Sequence, residues 1–133
     1  MVIAQDSPNK LTPAMLEDRL VEFAVRLIAV AKHLERDTAG RTISAQLVRA
    51  GTSPAANYAE SRSAESRADF AHKLRIVIKE LNETAVWLRI VEKSKLATHA
   101  QLRGVQSECD ELRRIIGASL RTTKSRATSA NNQ

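Results

Sequence analysis

The sequence has little of what a β-sheet or a disulfide-rich fold is built from. Aromatic residues make up 3% of the 133 residues, and the chain contains four glycines and one cysteine. Alanine, leucine and arginine are plentiful, and these residues favour helices over sheets. The single cysteine, Cys109, cannot form an internal disulfide bond, and we interpret it as a small core residue of the last helix. The composition therefore predicts an all-α domain.

Long apolar runs are also missing. The most apolar stretch, residues 20–34, is interrupted by Glu22, Arg26 and Lys32, whereas a membrane-spanning helix needs roughly 20 apolar residues in succession. Residues 1–12 contain no apolar run after a basic start, so they do not resemble a secretory signal. We therefore expect a soluble cytoplasmic protein with no membrane partner.

Apolar residues recur every three or four positions in four segments separated by short connections. This spacing is typical of helices that bury one stripe against other helices. It predicts an all-α, antiparallel up-down-up-down left-handed four-helix bundle over residues 13–121, with a flexible segment at 1–12 and a disordered basic and polar tail at 122–133. The predicted core positions are Leu16, Leu20, Phe23, Leu27, Ala31 and Leu34; Ile43, Leu47, Ala50, Pro54 and Tyr58; Leu74, Val77, Leu81, Ala85, Leu88 and Val91; Leu102, Val105, Cys109, Leu112, Ile116 and Leu120.

Local signals mark three helix starts. Thr12 is a candidate N-cap for the first helix, because it stands directly before a proline that suits the first helical position. Ser66 and Asp69 have the spacing of a capping box before the third helix, and Thr98 and Gln101 have it before the fourth. These signals predict where the connections end.

Pro54 lies inside the second helical pattern. We expect a kink near Gly51 to Pro54 instead of a helix end, because the apolar spacing continues in phase to Tyr58. The hydroxyl groups of Thr52 and Ser53 can return hydrogen bonds to the carbonyl groups that the proline leaves free. Gly51 would let two helices, or two subunits, approach closely.

The positive charge is concentrated near the C-terminal end. The net charge is +6, and residues 112–133 hold five basic residues and no acidic one. Such a cluster attracts phosphate-rich partners through counterion release, so we predict that it binds nucleic acid. The alternative is that these charges only complement a helix C-terminus and keep the tail soluble. The predicted nucleic-acid-binding residues are Arg113, Arg114, Arg121, Lys124 and Arg126.

The third helical pattern carries a second stripe beside its core stripe. Ile76, Trp87 and Ile90 fall together at about 100° per residue, with Glu80 and Glu83 among them. A mixed apolar and charged stripe that contains tryptophan is typical of a subunit interface, so we predict that these five residues form an oligomer interface. The alternative is that Trp87 covers the edge of its own bundle.

Polar residues with fixed spacing accompany the core on the second and third helices. Paired carboxylates can act as acid and base or bind metal, but di-metal bundles need Glu-x-x-His on two helices, and here only Asp69-x-x-His72 comes near. We predict no catalytic, cofactor or metal site. The residues Asn57, Glu60, Lys73 and Lys79 are interpreted as a structural polar layer. In this hypothesis Asn57 and Glu60 meet Lys73 or Lys79, and Glu83, on the third helix or on a neighbouring subunit.

These polar positions also carry a resemblance, which spans residues 14–120. The pattern consists of Arg49-Ala50-Gly51-Thr52-Ser53, Ala56-Asn57-Tyr58 with Glu60, Ser66-Arg67-Ala68-Asp69-Phe70, His72-Lys73-Leu74, Lys79-Glu80, Glu83-Thr84 and Trp87-Leu88. It resembles the four-helix-bundle proteins of the 23S ribosomal RNA intervening-sequence family, from which the chain departs at Pro54, Ala55 and Ser61. The resemblance implies a homo-oligomer, by analogy a pentameric ring with basic surfaces, as in the similar accessory proteins of diversity-generating retroelements.

These observations favour a non-enzymatic, self-associating bundle that is an accessory protein of nucleic acid or of a ribonucleoprotein. Its expected partners are copies of itself and RNA or DNA, with another protein as a further possibility and no small-molecule substrate. The alternative is a protein-interaction adaptor that has no affinity for RNA.

Overall fold

The protein is built from four helices. The structure, a computed structural model, describes residues 10–131, with side chains through residue 126. Helix α1 spans Pro13–Leu34, α2 spans Thr38–Ser61, α3 spans Arg67–Lys93 and α4 spans His99–Asn131. The described part of the chain contains no strand, which confirms the all-α fold class.

The predicted helix starts are confirmed by their hydrogen bonds. The hydroxyl of Thr12 accepts from the backbone N–H of Met15 (3.1 Å) and that of Ser66 accepts from Asp69 (3.0 Å). Thr98 and Gln101 form a reciprocal box, because each backbone N–H donates to the other side chain, at 2.8 and 3.2 Å. Each cap satisfies donors that the first helical turn leaves without partners.

The core is dominated by leucine, with alanine and valine as the next most frequent residues, and all four helices contribute to it. Leu20, Leu47, Leu81 and Leu112 are completely buried, together with Phe23. Burying a side chain of this size stabilises the fold by roughly 1.5–3 kcal/mol. Most predicted core positions are confirmed as buried, while Ile43, Ala85 and Leu120 are only half-buried.

Position 84 corrects the predicted stripe of α3. Thr84 is completely buried, whereas the predicted core residue Ala85 lies at the rim. The hydroxyl of Thr84 donates to the carbonyl of Glu80 in the preceding turn (2.8 Å). A threonine whose hydroxyl is satisfied within its own helix can turn its methyl group towards apolar neighbours at little cost. The buried series therefore keeps a regular alternation of three and four.

Helix α2 passes through Pro54 without ending, as predicted. The hydroxyl of Thr52 donates to the carbonyl of Val48 (2.7 Å), so the side chain adds a bond in the turn that the proline disturbs. Gly51 lies against α1: a Cβ atom at this position would overlap Cδ1 of Leu27 and lie 3.2 Å from its Cγ. The glycine thus allows the close approach of α1 and α2 that the sequence suggests.

Helix α4 continues to Asn131, past the predicted boundary at residue 121. The hydroxyls of Thr122 and Thr123 donate to carbonyls one turn earlier, at 3.1 and 2.9 Å. Arg67 at the start of α3 donates to the backbone carbonyl of Arg126 (3.3 Å). These bonds hold the basic segment as helix, where composition alone predicts a disordered tail. Residues 1–9 of the predicted flexible segment, and residues 132–133, lie outside the described range.

Each helix packs against two others, so the four form a closed arrangement. The packed pairs are α1 with α2, α2 with α3, α3 with α4, and α1 with α4. Arg19 of α1 and Glu108 of α4 join the first and last helices. The outer faces remain available for partners, and the basic residues lie on the outer face of α4.

Candidate nucleic-acid interface

Four of the five predicted nucleic-acid-binding residues lie together on α4. Arg113, Arg114, Arg121 and Lys124, here called the α4 basic strip, line one groove of about 540 Å³ around Gly117. The other wall of the groove comes from α3, including Ile78 and Asn82. The fifth predicted residue, Arg126, lines a different groove at the end of the bundle. The structure therefore divides the predicted set between two surfaces.

Hydrogen bonds hold the first two arginines of the strip in place. Arg113 donates through Nε to Asn82 of α3 (2.8 Å) and through Nη1 to Asp110 (3.2 Å). Arg114 donates to Glu111 one turn earlier. These contacts orient the guanidinium groups, but Asp110 and Glu111 also offset two of the four positive charges.

Arg121 contributes charge to the strip without such compensation. Its guanidinium pairs with no carboxylate among the described residues and lies over Gly117, where a Cβ atom would be 3.4 Å from Nη1. Arginine can bind two phosphate oxygens at once through its planar fork. An exposed arginine above a glycine is therefore well placed to contact a nucleic-acid backbone.

The predicted polar layer is present in part. Nζ of Lys73 on α3 lies 2.7 Å from Oε2 of Glu60 on α2, and this hydrogen bond raises the pKa of Lys73. Asn57 bonds within its own helix, to the carbonyl and hydroxyl oxygens of Ser53 at 3.0 and 2.8 Å. Lys79 is exposed and forms no ion pair in the described residues. Of the four predicted residues, only Glu60 and Lys73 form a contact between α2 and α3.

Arg49 is the polar residue that the sequence interpretation missed. It bridges α2 to α3 by pairing with both Glu83 and Glu80. Glu83 also accepts a hydrogen bond from Nε1 of Trp87 (3.0 Å). This bond is the largest cause of the lowered pKa of Glu83; burial opposes it, and the charge and hydrogen bond of Arg49 lower the pKa further. The sequence holds one clue to this pairing. Arg49 precedes Glu60 by about as many residues as Glu83 follows Lys73, so Arg49 faces Glu83 if Glu60 faces Lys73 on antiparallel helices.

Two residues of the predicted oligomer interface, Glu80 and Glu83, lie where α3 meets α2. Ile76 and Trp87 are half-buried, and Glu80 and Glu83 are engaged by Arg49 of the same chain. Ile90 is 37% exposed. Most of this stripe is thus occupied within one bundle, and its role in assembly stays a prediction.

A different apolar surface is more exposed. Val21 (49%), Val25 (52%) and Ile28 (36%) lie on the outer face of α1 and are here called the α1 stripe. The sequence carries its signal, since the three residues have the spacing of one helix face. The stronger core pattern of the same helix obscured it.

The described residues contain no group of three or more side chains suited to hold a metal ion. Burial raises the pKa of the Cys109 thiol to about 12, and its Sγ lies 3.4 Å from the carbonyl oxygen of Leu81. A thiol in this state is a poor nucleophile near neutral pH. Within residues 10–131, no helix has a stretch apolar and long enough to cross a membrane.

Comparison with known proteins identifies the family. Residues 17–118 match the family of 23S rRNA-intervening sequence proteins. A crystal structure of a protein of unknown function from the S23 ribosomal protein family of Bacteroides thetaiotaomicron is similar, with 34% identity and a TM-score of 0.75. The similarity covers 79% of this chain and 97% of that one. No curated protein matches the chain. On this evidence the chain belongs to the 23S rRNA-intervening sequence protein family.

Proposed function

We propose that the protein is a non-enzymatic, self-associating accessory protein that binds nucleic acid in the cytoplasm. The α4 basic strip carries the nucleic-acid part of the proposal, because it gathers Arg113, Arg114, Arg121 and Lys124 along one groove. Exposed cations in such a row release counterions when they meet phosphates. The family description names 23S rRNA, which favours RNA as the partner.

The proposed architecture is an antiparallel up-down-up-down bundle with a left-handed twist. The ion pairs between α2 and α3 support opposite directions, because Glu60 pairs with Lys73 whereas the earlier Arg49 pairs with the later Glu83. The short connections between consecutive helices support the same topology for the remaining pairs.

RNA binding is tested by fluorescence anisotropy with a structured RNA at about 50 and 200 mM salt. The double variant R121E/K124E reverses two charges of the strip. The control R75E/R103E reverses two other exposed arginines, which form no ion pair in the described residues. We expect the strip variant to lose about tenfold or more in affinity and the control to lose much less. Equal losses, or no binding by the wild type at the lower salt concentration, would overturn this part of the proposal.

Self-association is supported by the α1 stripe. Its three β-branched side chains lie on the outer face, away from the core residues Leu20 and Leu27. Removing such a surface from water is favourable when a second apolar surface covers it. The proposed occupant is the same stripe of a second copy.

Charges at the two ends of the stripe specify the direction of the pairing. Asp18 precedes the stripe and Lys32 follows it on the same helix face, and both are exposed without an ion pair in the described residues. If two copies of α1 lie antiparallel about Val25, each Asp18 comes close to the Lys32 of the other copy. A parallel pairing would instead place like charges together.

Exchange of these charges tests the pairing. Solution mass is measured by light scattering for wild type, D18K, K32D and D18K/K32D over a range of protein concentrations. We expect both single variants to shift the protein towards monomer and the double variant to restore the assembly. The proposed pairing would be overturned if the wild type is a monomer, or if the double variant has no higher solution mass than either single variant. A mass of five subunits would favour the ring that the resemblance implies, because this two-fold pairing gives even numbers.

The second candidate function is an adaptor that binds another protein and has no affinity for RNA. Val86 (50% exposed) and Ile90 favour it, since they form an apolar patch on α3 with Arg89 and Lys93 beside it. Absence of RNA binding at low salt would favour this candidate over the first.

A further inference from the structure

A second basic groove lies at the end of the bundle where α2 connects to α3. Its volume is about 550 Å³, which is within the range of small-molecule sites. Four helices meet there. Pro13 opens α1, Tyr58 lies in the last turn of α2 with Arg62 directly after that helix, Phe70 lies in the first turn of α3, and the last turns of α4 close one side. This end groove is separate from the α4 basic strip.

Tyr58 places a hydroxyl at the surface of this groove. The residue is 5% exposed, and its hydroxyl makes no hydrogen bond within the described part of the chain. No fully buried side-chain nitrogen or oxygen in that part lacks a partner, so the hydroxyl reaches the groove surface. A mostly buried tyrosine normally bonds through its hydroxyl. Here the hydroxyl meets solvent in the groove, where a ligand can take the place of water.

Three arginines line the groove together with Tyr58. Arg62 pairs with Glu17 of α1 (3.1 Å). Arg67 donates to the carbonyl of Arg126 (3.3 Å), while the guanidinium of Arg126 pairs with no carboxylate among the described residues. The lining contains one carboxylate, from Glu65. Because Glu17 already offsets Arg62, the groove keeps Arg67 and Arg126 against Glu65, and this positive excess favours an anionic ligand.

The apolar part of the lining restricts the ligand further. Phe70 is half-buried, and Pro13 is exposed beside it. A nucleobase can lie against such a surface, since stacking on an aromatic side chain contributes about 1–3 kcal/mol per base. An inorganic anion alone would leave this part of the groove unused.

We propose that the end groove binds a nucleotide that carries a phosphate monoester. The phosphate accepts hydrogen bonds from Tyr58 and from the guanidinium groups of Arg67 and Arg126, and the base lies against Phe70. A monoester fits better than the diester of an internal nucleotide, because it has three acceptor oxygens and close to two negative charges. The proposed event is binding alone, with no covalent bond made or broken.

Two sources can supply this ligand: a free nucleotide or the phosphorylated end of a nucleic-acid strand. The strand end rests on the proposed function, and the course of α4 supports it. Lys124 belongs to the strip, and the adjacent Thr123 lines the end groove. A strand that follows the strip can therefore place its end in the groove.

The test compares RNA oligonucleotides of one sequence with a 5′-phosphate, a 3′-phosphate or hydroxyl groups at both ends. Uridine monophosphate is the free-nucleotide probe, measured by calorimetry. The variant Y58F removes one hydroxyl and keeps the ring, while R103E is the charge control. Circular dichroism establishes that each variant keeps its helices.

We expect at least one phosphorylated oligonucleotide to bind about tenfold more tightly than the hydroxyl-ended one, which is the effect of one charge-assisted hydrogen bond. Y58F should abolish that difference without weakening the hydroxyl-ended oligonucleotide. If only uridine monophosphate binds in a Tyr58-dependent manner, the groove is a free-nucleotide site and the nucleic-acid function fails. If all three oligonucleotides bind equally and uridine monophosphate does not bind, the groove proposal fails and the nucleic-acid function stands.

Discussion

Arg19 and Glu108 join the first and last helices through two hydrogen bonds, from Nε to Oε2 (3.1 Å) and from Nη2 to Oε1 (2.6 Å). The hydrogen bond and the negative charge of Glu108 raise the pKa of Arg19, against an opposing effect of its partial burial. The side chains are 35% and 19% exposed, so solvent screens the pair only in part. We predict that R19M and E108Q each destabilise the fold by about 1 kcal/mol, with a coupling energy of about 0.5–1 kcal/mol between them. A urea-unfolding double-mutant cycle measures both quantities, and a coupling of zero would contradict this prediction.

The carboxylate of Glu83 should make stability depend on pH in the acidic range. Its folded-state pKa is lowered from the ordinary value of 4.5. A group of this kind stabilises the fold fully above 4.5, and the contribution is lost as the pH falls through the lower folded-state value. We predict that E83Q reduces stability at pH 7 and flattens its acid dependence, as measured by thermal unfolding between pH 3 and 7. The reference variant is E65Q, because Glu65 forms no ion pair in the described residues. If the stability of E83Q falls between pH 7 and pH 3 as steeply as that of the wild type, Glu83 does not supply this dependence.

Two glycines on helices should respond in opposite ways to replacement by alanine. Gly51 is buried against the completely buried Leu27, so G51A forces the helices apart and should cost about 1–3 kcal/mol. Gly104 is exposed, and the nearest atom to an added Cβ is the mobile Nη2 of Arg26 (2.8 Å). We predict that G104A is neutral or stabilising by up to about 1 kcal/mol, because alanine favours helix. Thermal unfolding of both variants tests this prediction. A G51A variant as stable as the wild type would contradict the close contact between α1 and α2.

Cys109 should react only when the protein unfolds. Its pKa of about 12 leaves almost no thiolate at pH 8, and the side chain is 1% exposed. We predict that a thiol-reactive disulfide reagent labels the unfolded chain in denaturant promptly and the native protein slowly, at a rate set by opening of the fold. Rapid labelling of the native protein would place the thiol at the surface.

The sequence predicts the fold well because core positions and helix caps can be recognised from residues close to one another in the chain. The leucines of α1, the proline inside α2 and the two capping boxes each require only a few neighbouring residues to interpret. Thr84 was missed since its hydroxyl finds a partner inside its own helix, so a polar residue takes a core position. The extension of α4 was missed because its support includes Arg67, which is distant in sequence.

The candidate sites are less predictable, since they depend on which helices meet. The five basic residues could be named from the sequence, but the division between the α4 strip and the end groove depends on where α3 and the start of α1 lie. Arg49 illustrates the same limit: nothing in its own segment indicates that it pairs with Glu80 and Glu83. The spacing of the α1 stripe is visible in the sequence, but only the structure shows that this face of α1 is exposed and the other is buried.

Helix α4 carries both basic surfaces on one rigid axis. At a rise of 1.5 Å per residue, the path from Arg113 to Arg126 is about 20 Å long. Successive phosphates of one strand in B-form DNA lie about 3.4 Å apart along the axis, so this path matches roughly six nucleotides of such a strand. If a strand binds as proposed, with its end in the groove and its backbone on the strip, the length of α4 sets the number of nucleotides that it covers, and shorter oligonucleotides would reach only one of the two surfaces.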